Sequence, residues 1–341
     1  MEQRPLGRTG LEVSCLGLGT LTFGQSTWGT DAAAADRIVG RFLEAGGNLL
    51  DTADVYNDGR TEEILGRALA GKRDRVVLAT KVGGPTGAGI NGIGLSRKHI
   101  VAALEASLRR LRTDHVDLYQ VHAFDPTVRL EETLSTLDDC VRAGKARYLG
   151  CSNYAAWHLM KANALAAALG TARFESLQPH YSLVCRHIER EHVPLCLEEK
   201  IALLPWSPLA CGLLSGRIGP DGAAVPGSRM DQAPAFRDEF VSPGRLEIAG
   251  AVAAIARERN RTPSQIALAW LLARPGVTAP IVGVRTEEQL EENLAAVDLK
   301  LDEEATRRLE EVSALELTYP YDHYAAVQGL IASLNLRRGS A

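Results

Sequence analysis

The stretch Gly46-Gly47-Asn48-Leu49-Leu50-Asp51-Thr52-Ala53-Asp54-Val55-Tyr56 decides the fold. Asn48-Leu49-Leu50 reads as a short buried strand. It ends in a carboxylate, Asp51, and a phenol, Tyr56, follows in the next loop. Both groups can point into one pocket. In α/β proteins the carboxyl ends of the strands are where chemistry is placed. The same residues also read as an Asp that caps a turn and a Tyr that packs. Two further stretches bear on that choice: Val76 to Lys81 reads as a buried strand ending in a lysine, and Val116 to His122 as a strand ending in a histidine.

Strand and helix patterns alternate outward from this stretch. Core strands are expected near residues 16, 48, 77, 118, 149, 175, 203 and 281. Helical spacing lies between them: Ile38 and Phe42, then Ile64, Leu65 and Leu69 behind a Thr61 cap, then Ile100, Leu104, Leu108 and Leu111 behind a Ser96 cap. Thr262-Pro263-Ser264-Gln265 is a capping box with proline at the first helical position. Eight such units in 341 residues predict a closed (β/α)₈ (TIM) barrel of the α/β class, with no domain boundary between 1 and 341. Residues 1–15 read as an N-terminal β-hairpin turning at Arg8-Thr9-Gly10, placed to plug the barrel bottom. Residues 212–246, rich in Gly, Pro and charge, read as a long lid or binding loop. Gly17-x-Gly19 invites a dinucleotide-binding fingerprint, but Thr22 stands where its third glycine would fall and no helical pattern starts there.

Composition narrows the function. The chain is 45% hydrophobic and 23% charged, with a net charge of -4, so it has no electrostatic footprint for nucleic acid. No apolar run approaches the roughly 18 residues a membrane span needs. Met1 to Pro5 lacks a signal-peptide core, so the cytoplasm is expected. The six cysteines form no C-x-x-C pair, so neither a metal site nor a redox motif is expected.

Asp51, Tyr56, Lys81 and His122 all leave strands at the same rim. An Asp–Lys pair there can be structural only. A phenol beside it is different: a lysine ammonium favours phenolate, and should lower the Tyr56 pKa from its usual value of about 10. Such a phenol can give a proton to a carbonyl oxygen and take it back in reverse. His122 can donate to the same oxygen and orient it.

These residues carry a resemblance. Gly46–Gly66, Thr80-Lys81, Asp117-Leu118-Tyr119-Gln120-Val121-His122, Gly144-Lys145-x-Arg147-Tyr148-x-Gly150-x-Ser152-Asn153, Trp206-Ser207-Pro208-Leu209 and Gln289-x-x-Glu292-Asn293 make the chain similar to aldo-keto reductases over nearly its whole length. The nearest branch holds potassium-channel β subunits and bacterial ketone or sugar reductases. The resemblance implies a (β/α)₈ barrel using NADP(H), with Asp51, Tyr56, Lys81 and His122 as its catalytic tetrad. It implies that Ser152, Asn153 and Gln178 hold the nicotinamide carboxamide. Trp206, Ser207, Pro208 and Leu209 through Gly212 would pass beside the ribose and pyrophosphate, with Gly19, Thr20 and Leu21 approaching from the first strand. Arg217 and Arg229 in the long loop could grip phosphate or be solvated. Glu292 and Asn293 suit the adenine end. Gln289 also reads as part of a capping box from Thr286.

The loop Gly283-Val284-Arg285-Thr286 is, by the same resemblance, where a 2′-phosphate would sit. A helix N-terminus and Arg285 suit a dianion, while Glu287, Glu288, Glu291 and Glu292 oppose one. The expected activity is NADPH-dependent reduction of a ketone or aldehyde, with Tyr56 supplying the proton. The alternative is a regulatory subunit that binds NADPH and turns over little; channel β subunits often lack the histidine, and His122 favours an enzyme. Expected pocket residues for the small-molecule carbonyl substrate are Phe23, Trp28, Tyr56 and His122. The aromatic tail, with Tyr319, Tyr321, His323 and Tyr324, is predicted to pack near the pocket mouth and help choose substrates, with packing on the barrel wall as the alternative. Oligomeric state does not follow from the sequence.

Overall fold

A computed structural model describes residues 1–87 and 89–338. A two-stranded hairpin, β1 (Gln3–Pro5) and β2 (Glu12–Ser14), opens the chain. Eight parallel strands follow: β3 (Gly17–Gly19), β4 (Leu49–Asp51), β5 (Val77–Val82), β6 (Val116–Val121), β7 (Ala146–Ser152), β8 (Phe174–Gln178), β9 (Ala202–Leu203) and β10 (Ile281–Gly283). They pair in chain order, and β10 pairs back with β3. Parallel bridges at Leu203–Val277 and Trp206–Ile281, with the Ile281 amide donating to the Pro205 carbonyl at 2.8 Å, join the β9 side to β10. The expected (β/α)₈ barrel is thus the observed fold, with all eight strands where the sequence places them.

Helices α1 (Ala32–Glu44), α2 (Arg60–Ala68), α3 (Arg97–Leu111), α4 (Leu130–Arg142), α5 (Ala156–Leu169) and α6 (His192–Glu199) alternate with the strands. Between β9 and β10 lie α7 (Arg229–Gln232), α8 (Pro234–Phe240), α9 (Pro243–Glu258) and α10 (Pro263–Leu272). Helices α11 (Glu287–Leu294), α12 (Glu303–Val312) and α13 (Tyr321–Arg338) complete the chain. The segment 212–246 is therefore not bare loop, since α7 and α8 lie within it. Ser96 and Asp302 cap their helices, and Thr262 forms its capping box with Gln265. Thr61 does not cap: Gly59 is the N-cap of α2, and the buried Thr61 hydroxyl donates to the Phe23 carbonyl at 2.9 Å.

The main core lies between strands and helices, where Ile38, Phe42, Leu65, Leu104 and Leu137 are buried. A smaller cluster fills the barrel. Leu6 and Val13 of the hairpin pack there with Leu49, Val77, Leu118 and Leu204, so the hairpin plugs one end. A Cβ on Gly7 would meet the Glu175 and Lys200 carbonyl oxygens at 2.6 and 2.8 Å, so glycine permits that close approach. The other end, where the strands terminate, is left to polar groups. No helix among the described residues is long and apolar enough to cross a membrane.

Candidate active site

Four polar side chains meet at the carboxyl ends of β4, β5 and β6. Lys81 is 0% and Asp51 3% exposed. The Lys81 Nζ donates to Asp51 Oδ1 at 2.5 Å, to the Thr52 carbonyl at 2.9 Å and to the Tyr56 hydroxyl at 3.2 Å. All three donors of the ammonium are used, which makes its burial tolerable. Asp51 Oδ2 accepts from Gln120 Nε2 at 3.0 Å and Gln178 Nε2 at 2.8 Å. The His122 ring stands edge-on to Tyr56, centroids 5.8 Å apart. Asp51, Tyr56 and His122 line a cavity of about 500 Å³, with Lys81 directly behind them.

The backbone between Asp51 and Tyr56 follows from local bonds. The Thr52 amide donates to the Ala79 carbonyl and the Asp54 amide to the Lys81 carbonyl, which ties the loop to β5. Asn57 and Asp58 then adopt left-handed φ of 49° and 55°. Asn57 Nδ2 donates to the Leu21 and Phe23 carbonyls at 3.2 and 3.0 Å, holding this turn against the loop after β3. Asparagine and aspartate tolerate this conformation better than most residues.

Electrostatics differ from the sequence expectation at one point. Burial pushes the Tyr56 pKa up; the Lys81 charge and hydrogen bond pull it down without overcoming that. Asp51 beside Lys81 opposes the lysine's pull. Tyr56 is therefore a protonated phenol at neutral pH, and the expected lowering is corrected. Burial first, then Lys81, push His122 down to about 3, so its imidazole is neutral. Asp54, buried nearby with neither carboxylate oxygen hydrogen-bonded, is pushed up to about 7 by burial and then by the Glu62 charge.

The remaining candidates gather around this cavity. Gly19, Thr20 and Leu21 line it from β3, and Ser152, Asn153 and Gln178 from β7 and β8. Trp206, Ser207, Pro208, Leu209 and Gly212 line it beyond β9. Gly283, Arg285, Gln289, Glu292 and Asn293 reach it from β10 and α11, and Arg217 and Arg229 from the long insertion. Asn153 is already engaged: its Nδ2 donates to the His122 carbonyl, and its Oδ1 accepts from Trp206 Nε1, both at 3.0 Å. Gln289 makes only half of the expected capping box: its amide donates to Thr286 Oγ1, but its side-chain oxygen accepts from the Arg285 amide at 2.9 Å rather than from the N-cap Thr286 amide. Arg229 lies over the rings of Trp28 and Phe236, 4.2 and 4.0 Å from their centroids.

Two expectations fail. Phe23 does not line the cavity. The chain turns at Thr22, bridging Phe23 to Thr30, and buries the Phe23 ring in the core between barrel and helices. The tail does not reach the mouth either. Tyr319 is 81% exposed, the Tyr321 hydroxyl donates to Glu191, and none of Tyr319, Tyr321, His323 or Tyr324 lines the cavity. Phe236, Glu239 and Phe240 of α8 supply that wall instead, and α8 is not visible in the sequence because it hides in a segment of loop composition. Gln120 is a further site residue without a role in the sequence reading; a glutamine near the end of β6, two residues before His122, is the available signal.

A (β/α)₈ barrel presents this quartet at the carboxyl rim of its strands. The chain belongs to the aldo/keto reductase family, whose model matches residues 15–314. It is similar to the oxidoreductase YrpG of Bacillus subtilis (strain 168), 40% identical over 323 residues, covering 92% of this chain and 96% of that protein. It is 33% identical over 343 residues to the versiconal hemiacetal acetate reductase of Aspergillus parasiticus, covering 94% and 99%. A probable voltage-gated potassium channel subunit beta of Arabidopsis thaliana is 36% identical over 308 residues, covering 88% and 92%. The family generally binds a nicotinamide cofactor, and this chain is accordingly an oxidoreductase.

Proposed function

We propose that this protein is an NADPH-dependent carbonyl reductase that reversibly converts a ketone or aldehyde to an alcohol. The observation that carries the reading is the Tyr56 hydroxyl, 3.2 Å from the buried Lys81 Nζ and edge-on to a neutral His122 in the cavity.

The cavity residues fit a dinucleotide. Arg285 is pushed down by burial and by the charge of Arg217, so two cations share one region. Arg229 Nε is buried with no hydrogen-bond partner. A phosphate would relieve both conditions. Arg285, Arg217 and Arg229 would hold the phosphates, Glu292 and Asn293 the adenine end, and Ser152 and Gln178 the carboxamide. When bound, the nicotinamide supplies the hydride.

The chain's own residues manage the proton. Tyr56 gives its hydroxyl proton to the carbonyl oxygen. Lys81 stabilises the negative charge left on the Tyr56 oxygen through the bond it already makes. Asp51, fixed by Gln120 and Gln178, keeps Lys81 charged and aimed. Neutral His122 donates one N–H to the same carbonyl oxygen. Six unpaired cysteines fit a reducing compartment, and we read the chain as one unit working in the cytoplasm. NADPH oxidation followed against a panel of aldehydes, ketones and quinones tests the proposal. Turnover on at least one class is expected; NADPH binding without turnover on any would favour the second reading, a cofactor-binding regulatory subunit, which the channel-subunit relatives suggest.

A further inference from the structure

His180 has no role so far. It lies two residues beyond β8, past Pro179. Its imidazole stacks on the Trp206 indole, with centroids 4.4 Å apart and planes 18° apart. The Phe240 ring of α8 meets the same imidazole edge-on at 5.3 Å. The backbone reinforces the pairing, because the Trp206 amide donates to the Pro179 carbonyl at 2.9 Å and His180 bridges to Trp206. His180 Nε2 is buried with no hydrogen-bond partner. Leaving a buried polar atom unpaired is costly, and a plain apolar residue would avoid that cost. What the position keeps in return is the flat face laid against Trp206. Burial pushes His180 down to about 4, so the ring is neutral at working pH.

The stack is one link in a continuous chain of contacts. Phe240, in the insertion between β9 and β10, touches His180. His180 touches Trp206, whose Nε1–H donates to Asn153 Oδ1, and Asn153 Nδ2 in turn donates to the His122 carbonyl. Phe240, Trp206, Asn153 and His122 all line the cavity; His180 stands behind them. An indole held at its edge by one hydrogen bond can still tilt. An imidazole stacked on its face removes that freedom.

We propose that His180 is a positioning residue that holds Trp206 as a flat wall for a planar nitrogen heterocycle and couples the seating of α8 to His122. The inference rests on the reading of this cavity as the nicotinamide site. It assigns no bond-making role to His180.

Tryptophan-fluorescence quenching by NADPH tests it without any substrate. His180→Leu fills the volume without an aromatic face, whereas His180→Phe keeps the face. His180→Leu should weaken NADPH binding about three- to tenfold, the usual worth of an aromatic pair, and His180→Phe should restore it to within about twofold. In a Trp206→Leu background, His180→Leu should add nothing, because the two residues then form one coupled unit. The kcat of His180→Leu should also fall, because the Asn153 hold on His122 loosens. Equal affinities for wild type and His180→Leu, or additive losses in the double variant, would overturn the proposal. A wild type that does not bind NADPH would instead defeat the reading of the cavity.

Discussion

The ends of β4, β5 and β6 and the insertion between β9 and β10 face one cavity but are built differently. At the strand ends, buried Lys81, Gln120 and Gln178 all donate to buried Asp51, at 2.5, 3.0 and 2.8 Å. That geometry is complete without a ligand. In the insertion and the nearby β10 loop, arginines face the cavity, and the Arg229 Nε is buried with no hydrogen-bond partner. Arg229 rests on aromatic faces, and Arg285 spends one donor on the Gly227 carbonyl while the Arg217 charge opposes its own. The backbone there is strained as well, with left-handed φ at Ser207, Ala210 and Cys211. Preorganisation belongs where charge develops in the reaction. Unpaired cations belong where a ligand brings the anion.

Removing Lys81 should break the first region most severely. Lys81→Met leaves Asp51 buried without its cation, which costs about 3–5 kcal/mol of stability; chemical denaturation would measure it. Reduction should fall by at least about a hundredfold in whatever protein remains folded. A variant as stable as wild type would show that Asp51 is held by Gln120 and Gln178 alone.

The second region should respond in cofactor choice instead. A charge-assisted pair to phosphate contributes about 1.5–3 kcal/mol, or roughly ten- to hundredfold. Wild type should therefore prefer NADPH to NADH by at least about tenfold, and Arg285→Ala should lose most of that preference with little change for NADH. Parallel cofactor titrations decide it. An unchanged ratio would move the 2′-phosphate to Arg217 or Arg229.

Asp54 gives a pH test of the buried pole. Its folded pKa is raised from 3.8 to about 7, so the folded state holds the extra proton. Its contribution to stability is therefore present at pH 3.8 and below, and is lost as pH rises through about 7. Asp54→Asn should be more stable than wild type above pH 7, with the gain shrinking to nothing below pH 3.8, as thermal unfolding across pH would show. A constant difference would mean that the Asp54 charge is compensated.

The smallest effect should come from the tail. Truncation after Ala314 removes Tyr319, Tyr321 and Tyr324, none of which lines the cavity. Substrate ranking and NADPH affinity should both stay within about twofold, because no described residue of the tail lines the cavity. A reordered ranking would place the tail at the mouth after all.

What was legible in the sequence follows the same division. Strand ends announce themselves, because Asp51, Lys81 and His122 each close a strand pattern, and a polar group there has only the rim to occupy. All eight strands could be located for the same reason. The wall made by Phe236, Glu239 and Phe240 was not legible, since α8 is only seven residues long and sits between prolines, with no sustained period. Phe23 misled because nearness in sequence to the cavity strand does not say which way the chain turns after Thr22. The Tyr56 pKa misled because proximity to Lys81 is visible in a motif, whereas desolvation depends on the whole surrounding structure.

Tyr56→Phe tests the central claim most directly, because it removes one hydroxyl and leaves the ring against His122. Measured in one preparation, NADPH affinity by fluorescence should stay within about twofold of wild type, while carbonyl reduction falls by at least about a hundredfold, the usual worth of a general acid. Near wild-type turnover by a Tyr56→Phe protein that binds NADPH normally would contradict the account, because the proton would then come from another group.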